Sequence, residues 1–144
     1  MRNRKVKDLM SDQPCMIAPD ASLQEAARMM ANVDCGFLPV CNKNDVIGII
    51  TDRDIVIRAI SRGKDPQKEK VLNYMTNDCF GCHENDYLED AAAKMHDYKV
   101  SRLIVRDSKG QISGVLSFGG ILRKNADAKE VANVVKHAIR KEVA

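Results

Sequence analysis

Hydrophobic positions along the chain follow the same order twice. Apolar residues at helical spacing predict an amphipathic helix from Leu23 to Val33 and a second one from Leu88 onward. Each helix is followed by two short apolar runs separated by Asn, Asp, Lys or Gly, which is typical of a β-hairpin. The strands are predicted at Phe37–Val40 and Val46–Thr51 in the first copy and at Arg102–Arg106 and Ile112–Ser117 in the second.

The two copies are related by an offset of 65 residues, as from Met10 to Met75, which becomes 66 after a longer turn in the second hairpin. A short helical turn ending in Met-Ser or Met-Thr is predicted to open each copy, and a short extended segment follows it. A last helix closes each copy, at Asp52–Ser61 and at about Phe118–Lys124. Each copy is therefore predicted as strand, helix, strand, strand, helix, which indicates an α/β fold built from a repeat.

The segment between the copies, Arg62–Glu69, is polar and is broken by a glycine and a proline, so it is predicted to be a linker. The predicted division is 1–65 for the first copy, 66–125 for the second and 126–144 for a C-terminal helix. That helix carries an apolar stripe, which we expect to pack within its own module, against a dimer partner or against a client protein. Each copy is small, so we expect the two copies to pack on each other.

Composition narrows the class of protein. Apolar and charged fractions of 44% and 30% are those of a soluble globular protein. The net charge of +3 is spread along the chain and Trp is absent, which gives little support for nucleic acid as a partner. No apolar run reaches membrane-spanning length, and the basic first residues lead into no signal-peptide core. We therefore expect a cytoplasmic protein, in which the five cysteines stay reduced.

The stretch Val46–Ile55 concentrates the candidate chemistry. It is predicted as a buried strand that ends at Thr51 and runs straight into a helix, with Asp54 three residues after the threonine. A helix N-terminus can hold a phosphate, and a carboxylate one turn further on can accept from a sugar hydroxyl. Thr51–Asp54 also fits a plain capping box, as Ser22–Glu25 does. The two roles can coexist, and the sequence leaves both open.

Cys79, Cys82 and His83 spell the C-x-x-C-H pattern of covalent haem attachment. That chemistry requires export, whereas a redox-sensitive dithiol would not. A zinc site lacks a second C-x-x-C pair, so no metal site is predicted. No Ser/His/Asp or Cys/His arrangement and no nucleotide-hydrolysing glycine loop is present. We therefore expect no enzymatic activity and name no catalytic residue.

The repeat length, the element order and the Gly-hydrophobic-hydrophobic-Thr-x-x-Asp junction resemble the cystathionine β-synthase (CBS) domain pair, also called a Bateman module. The resemblance covers about Lys5–Asn125. It implies two CBS motifs packed with pseudo-twofold symmetry and two clefts between them, followed here by the C-terminal helix. Its most specific pieces are GFLPV at 36–40, GIITDRDI at 48–55, SRLIV at 101–105 and GVLS at 114–117.

Members of this family commonly bind adenosine-containing ligands in these clefts and regulate an attached or separate protein. The resemblance thus implies AMP, ADP, ATP, S-adenosylmethionine or an NAD-type nucleotide as a regulatory ligand, with no cofactor required. It also implies a homodimer. Because the chain carries no catalytic or channel domain, its output is expected to reach a separate client protein, which the sequence does not name.

Matching positions carry the resemblance to individual residues of the first cleft. Thr51 would bond a phosphate or ribose oxygen, and Asp54 would accept from the ribose hydroxyls. A basic residue of the second copy, Arg102, would reach phosphates, for which a guanidinium is suited. The remaining ligand contacts are the backbone of Ile17 and Ala18 beside Pro19 at the adenine edge, and Phe37, Leu38 and Pro39 as an apolar wall.

The second cleft departs from the pattern. Ser117 keeps the hydroxyl, but Gly120 stands in place of the aspartate and Ile104 in place of the proline. One competent cleft per chain is therefore expected. The sequence predicts a regulatory CBS pair that binds a nucleotide between its two motifs and signals to a partner. The alternative is a ligand-free interaction or scaffold module that acts through its dimer face and C-terminal helix.

Overall fold

The computed structural model describes residues 4–11, 15–43, 45–77, 79–124 and 127–138, and these combine helices with two small sheets. The predicted α/β class is confirmed. In chain order the helices are α1 (Val6–Leu9), α2 (Leu23–Val33), α3 (Leu88–Tyr98), α4 (Phe118–Arg123) and α5 (Ala128–Ala138), and the strands are β1 (Phe37–Asn42), β2 (Asp45–Thr51), β3 (Gly81–His83), β4 (Arg102–Arg106) and β5 (Ile112–Ser117).

The chain forms two compact units. The first unit consists of the described residues of Cys15–Cys79, and the second unit of those of Met1–Pro14 together with Phe80–Ala144. The sequence division at residues 65 and 125 follows the repeat, whereas the compact units follow the packing of the chain. The two divisions differ at the short segments that precede each copy.

In the first unit, β1 and β2 form the predicted antiparallel hairpin, with Leu38 opposite Ile50. α2 begins where the Ser22 hydroxyl accepts the Glu25 N–H, and it buries Leu23, Ala26 and Met30 as its spacing predicts. The helix after β2 covers residues 52–62. Its centre, Asp54–Ala59, is wound as a π-helix and its end, Ile60–Arg62, as a 3-10 turn.

The second unit repeats the hairpin with β4 and β5 and adds β3, which pairs parallel to β4. The equivalent extended segment of the first unit makes a single parallel bridge between Ile17 and Val40. α3 begins at Leu88, as predicted. Tyr87 occupies the cap position of α3, and the Asp86 carboxylate accepts the His83 N–H at 2.9 Å.

Each sheet is extended by the short segment that precedes the other copy in the sequence. Ile49 of β2 exchanges two backbone hydrogen bonds with Thr76, both of 2.9 Å. Val115 of β5 exchanges two with Ser11, of 2.9 and 3.1 Å. The predicted helical turns are present, at Val6–Leu9 and Val71–Asn73, but each packs in the unit that contains the other copy.

Two glycines at matching positions allow this close approach. A Cβ atom built on Gly48 would lie 2.8 Å from the carbonyl oxygen of Thr76. A Cβ atom on Gly114 would lie 2.1 Å from the carbonyl oxygen of Ser11. Each glycine thus removes the side chain that would keep the additional segment off the strand.

The C-terminal helix α5 packs along α3 within the second unit. Its apolar stripe is only partly covered, because Val131 is half-buried whereas Ala128, Ala132 and Val135 are exposed. The part of the predicted helix beyond Ala138 lies outside the described residues. None of the helices in the described ranges is long and apolar enough to cross a bilayer.

Replacing Gly114 by alanine should destabilise the second unit, because the new methyl group meets the rigid Ser11 carbonyl at 2.1 Å. We expect a loss of about 1–3 kcal/mol in the free energy of unfolding, measured with urea. Gly81→Ala is the control, since its Cβ would lie 3.1 Å from the Ile104 carbonyl. Equal losses in the two variants would contradict the close-approach explanation.

Candidate functional site

The junction between β2 and the following helix is held by a reciprocal capping box. The Thr51 hydroxyl accepts the Asp54 N–H at 3.0 Å, and the Asp54 carboxylate oxygen Oδ2 accepts the Thr51 N–H at 3.0 Å. Both residues are half-buried. The capping interpretation of these residues is confirmed, and the box fixes the carboxylate in one orientation.

Capping leaves one oxygen of Asp54 for other partners. Oδ1 lies 4.0 Å from the NH1 nitrogen of Arg58, which is too long for a hydrogen bond. Within the ranges that the structure describes, no other group donates to Oδ1. An ionised carboxylate oxygen is a strong acceptor. Capping and acceptance of a sugar hydroxyl are therefore compatible at this residue.

The backbone amides at the start of the helix are already bonded. The Asp52 N–H donates to the Gly36 carbonyl at 2.9 Å, and the Arg53 N–H to the Asp52 carboxylate at 2.8 Å. The Asp54 N–H goes to Thr51, as described above. A phosphate at this junction would thus find the Thr51 hydroxyl as a donor rather than unpaired amides. The phosphate-binding role expected of the helix N-terminus therefore falls to the Thr51 side chain.

The predicted adenine edge is only partly available. The N–H of Ile17 donates to the Pro39 carbonyl at 3.0 Å, and its carbonyl accepts the Cys41 N–H at 2.9 Å. Ile17 is therefore occupied by β1, and its side chain is buried. Ala18 is exposed, and its N–H has no backbone acceptor among the described residues. A base that reads the backbone here would meet Ala18 rather than Ile17.

The predicted apolar wall divides between the two faces of β1. Phe37 lies opposite Thr51 in the hairpin register, and Pro39 lies opposite Ile49. Because successive side chains alternate between faces, Phe37 and Pro39 share the face of Thr51. Leu38 points the other way into the core, where it is 1% exposed. The structure thus brings Phe37 and Pro39 together with Thr51 and separates Leu38 from them.

The second unit presents the same junction without the carboxylate. The Ser117 hydroxyl accepts the Gly120 N–H at 3.0 Å and so caps α4. Arg102, half-buried at the start of β4, lies opposite Ser117 just as Phe37 lies opposite Thr51. The repeat therefore replaces an aromatic side chain by a cation at this position. The hydroxyl is kept, and the side chain that would accept from a ribose is absent.

The family model of the CBS domain matches residues 6–60 and 71–139. The chain belongs to the CBS-domain family. The predicted tandem CBS pair is thereby confirmed, since the two matches follow the two copies of the repeat.

Known proteins similar to this CBS pair share both sequence and fold. The CBS domain-containing protein YhcV of Bacillus subtilis is 32% identical over 116 residues, which cover 81% of each chain. The crystal structure of an uncharacterized conserved protein from Pyrococcus horikoshii has a TM-score of 0.76 at 25% identity, covering 88% of this chain and 96% of that one. The CBS domain pair of protein MJ0100, solved in complex with 5′-methylthioadenosine and S-adenosyl-L-methionine, has a TM-score of 0.71 at 28% identity, covering 83% and 93%.

The sequence did not indicate two residues beside the site of this CBS pair, Arg58 and Tyr74. The NH1 nitrogen of Arg58 donates to the Tyr74 carbonyl at 2.7 Å while it faces Asp54. The Tyr74 hydroxyl donates to the Glu69 carboxylate, and this hydrogen bond raises the pKa of Tyr74. The spacing of four residues from Asp54 to Arg58 on one helix is a signal that could have indicated their pairing. No local pattern could have indicated the contact with Tyr74.

The last three residues of the C-x-x-C-H segment, Gly81–His83, form the short strand β3 of this CBS pair. Burial raises the pKa of the Cys82 thiol from 9.0 to about 12, and the Asp86 carboxylate adds to the shift. A protonated thiol is a poor metal ligand and a poor nucleophile. Within the described residues, no group of three or more His, Cys, Asp or Glu side chains is placed to hold a metal ion.

The buried Cys82 thiol should make the stability of the protein depend on alkaline pH. The native thiol keeps its proton up to about pH 12, whereas the thiol of the unfolded chain loses it above about pH 9. This contribution is therefore complete below pH 9 and is lost as the pH rises towards 12, with about 1 kcal/mol gone by pH 10. Urea unfolding at pH 8 and pH 10 should show a smaller loss for Cys82→Ala than for the wild type. Identical losses would show that the thiol titrates normally.

Proposed function

We propose that the chain is a regulatory CBS pair that binds an adenosine-containing nucleotide at the Thr51–Asp54 junction and signals its binding to a separate partner protein. The observation that carries this proposal is the Asp54 carboxylate, which the capping box holds in place with Oδ1 left to accept. CBS pairs are generally regulatory rather than catalytic, and a similar CBS pair, that of MJ0100, was solved with two adenosine-containing ligands.

Each part of a nucleotide has a partner of matching chemistry. The ribose hydroxyls donate to Oδ1 of Asp54, and the Thr51 hydroxyl donates to a phosphate or ribose oxygen. The Ala18 N–H meets the adenine edge, and Phe37 and Pro39 pack on its apolar surface. A phosphate-binding role for Arg102 remains a prediction from the family resemblance. These contacts admit AMP, ADP, ATP, S-adenosylmethionine and NAD-type nucleotides alike, because all of them share adenine and ribose.

Calorimetry with AMP, ADP, ATP, S-adenosylmethionine and NADH tests the proposal. We expect at least one of them to bind, and Asp54→Asn to weaken its binding by tenfold or more, since a hydrogen bond to a charged group contributes about 1.5–3 kcal/mol. A 2′,3′-dideoxy analogue of the same nucleotide should bind wild type and Asp54→Asn almost equally, because it lacks the hydroxyls that Asp54 accepts from.

The chain offers a matched control for this experiment. Ser22–Glu25 has the same sequence form as Thr51–Asp54, and the Ser22 hydroxyl caps α2 at 3.1 Å. Glu25→Gln and Ser22→Ala should therefore leave nucleotide affinity unchanged, although Ser22→Ala costs about 1 kcal/mol of stability. If none of the five ligands binds, or if Glu25→Gln weakens binding as much as Asp54→Asn, the proposed site is wrong.

We extend the proposal to a homodimer in the cytoplasm, where an odd number of cysteines suits a reducing medium. The helix after Thr51 exposes three apolar side chains, with Val56, Ile57 and Ile60 at 53%, 50% and 47%. Such a cluster on one helix suits burial against another protein. The same face supports the alternative function, a scaffold module that binds no nucleotide.

Ile57→Glu should convert the dimer to a monomer, because a carboxylate in an apolar contact has no partner. Sedimentation velocity at micromolar concentration measures this change. Lys64→Glu, an exposed charge change just beyond the same helix, is the control and should leave the dimer intact. A wild-type monomer, or a dimer that survives Ile57→Glu, would rule out this face. A dimer that binds none of the five nucleotides in calorimetry would favour the scaffold function.

A further inference from the structure

The residues at the end of the predicted linker and directly after it are bonded to the loop that carries the candidate adenine contact. We name residues Glu69–Thr76 the linker strap. The N–H of Leu72 donates to the Pro19 carbonyl and the N–H of Val71 to the Ala21 carbonyl, both at 2.9 Å. The Glu69 carbonyl accepts the Leu23 N–H at 3.0 Å, at the start of α2. The strap therefore fixes the loop that follows Ala18.

The same strap is bonded to the helix that carries Asp54. The NH1 nitrogen of Arg58 donates to the Tyr74 carbonyl at 2.7 Å and lies 3.5 Å from the Met75 carbonyl. The same nitrogen lies 4.0 Å from Oδ1 of Asp54. One guanidinium group therefore stands between the candidate ribose-binding oxygen and two carbonyls of the strap. The strap then pairs with β2 through Thr76, and the chain continues to β3.

The charges of Asp54 and Arg58 predict whether ligand binding tightens or loosens the strap. The Asp54 side chain is 14% exposed and the Arg58 side chain 45%, so solvent screens only part of their attraction, which competes with the bonds of Arg58 to the strap. When Oδ1 accepts hydroxyl groups, part of its charge is taken up by those hydrogen bonds. Arg58 is then held less by Asp54 and bonds the Tyr74 and Met75 carbonyls more strongly. Occupation of the site should therefore tighten the strap.

We propose that Arg58 is a positioning residue that couples the state of the Asp54 carboxylate to the linker strap, so that nucleotide binding is passed into the segment that opens the second copy. This inference rests on the proposed function, because it takes Asp54 as the ribose-binding group. The mechanical part does not depend on the ligand: neutralising Asp54 by any means should have the same effect on the strap.

Hydrogen–deuterium exchange of the full-length protein, followed on peptides that cover the strap, tests the coupling without any ligand. Asp54→Asn keeps an oxygen for the Thr51 N–H but removes the charge that faces Arg58, so it should slow exchange in the strap. Arg58→Met should speed exchange by about tenfold or more, because it removes a charged donor from the Tyr74 carbonyl. Arg58→Lys should fall between, since a point charge cannot reproduce the fork.

Two comparisons separate coupling from a merely structural role. Arg28→Met, which removes an exposed arginine from α2, should leave the strap unchanged. In the double variant Asp54→Asn/Arg58→Met, the slowing caused by Asp54→Asn should disappear. If Arg58→Met speeds exchange but Asp54→Asn has no effect, Arg58 is only a staple and the inference is overturned.

The ligand arm uses the nucleotide that calorimetry identifies. Saturation should slow strap exchange in the wild type and in Arg28→Met but not in Arg58→Met. Slowing that persists in Arg58→Met overturns the coupling while leaving the binding site intact. If no nucleotide binds, the proposed function fails, and the exchange of Asp54→Asn and Arg58→Met still decides whether the relay exists.

Discussion

The reciprocal hydrogen bonds between Thr51 and Asp54 are the constraint on which the site depends. They end β2, start the following helix and fix a carboxylate with one oxygen turned to other partners. A free aspartate on a loop would sample many orientations and lose entropy on binding, whereas this one is ordered before any ligand arrives. A structural cap and a binding group are thus the same pair of side chains, which explains why the sequence could not separate the two roles.

The wide winding of the next turn belongs to the same arrangement. Asp54–Ala59 is π-helical, and the Ile60 N–H donates to the carbonyl of Ile55 five residues back. π-helical turns are uncommon and occur often at functional sites. Here the turn contains both Asp54 and Arg58, so its geometry sets how the guanidinium meets the carboxylate. One short helical segment therefore carries both the candidate ribose-binding carboxylate and the side chain that contacts the linker strap.

Much of the fold could be predicted because its helices and hairpins follow from local sequence patterns. Helices and hairpins are indicated by patterns among neighbouring residues, such as the spacing of Leu23, Ala26 and Met30. Each pattern also occurs in the second copy of the repeat, which supports the assignment. The pairing of Thr76 with Ile49 joins residues far apart in sequence, so no period reveals it. In the site, the register of the hairpin determines which residues of β1 lie on the face of Thr51. Phe37 lies opposite Thr51 and Leu38 does not, and composition alone does not distinguish them. The same limit applies to Arg58, whose partner is a backbone carbonyl sixteen residues away.

The crossing of the opening segments changes what counts as one piece of this protein. A fragment that stops at residue 65 contains every strand of the first repeat but not Thr76, and it leaves β2 with an uncovered edge beside a glycine that exists only to admit a neighbour. A fragment that starts at residue 66 likewise lacks Ser11. Each half therefore lacks one segment of its sheet when the chain is cut at the boundary of the repeat. A cut next to Cys79 instead keeps Thr76 with β2, because the described residues of Cys15–Cys79 form one compact unit.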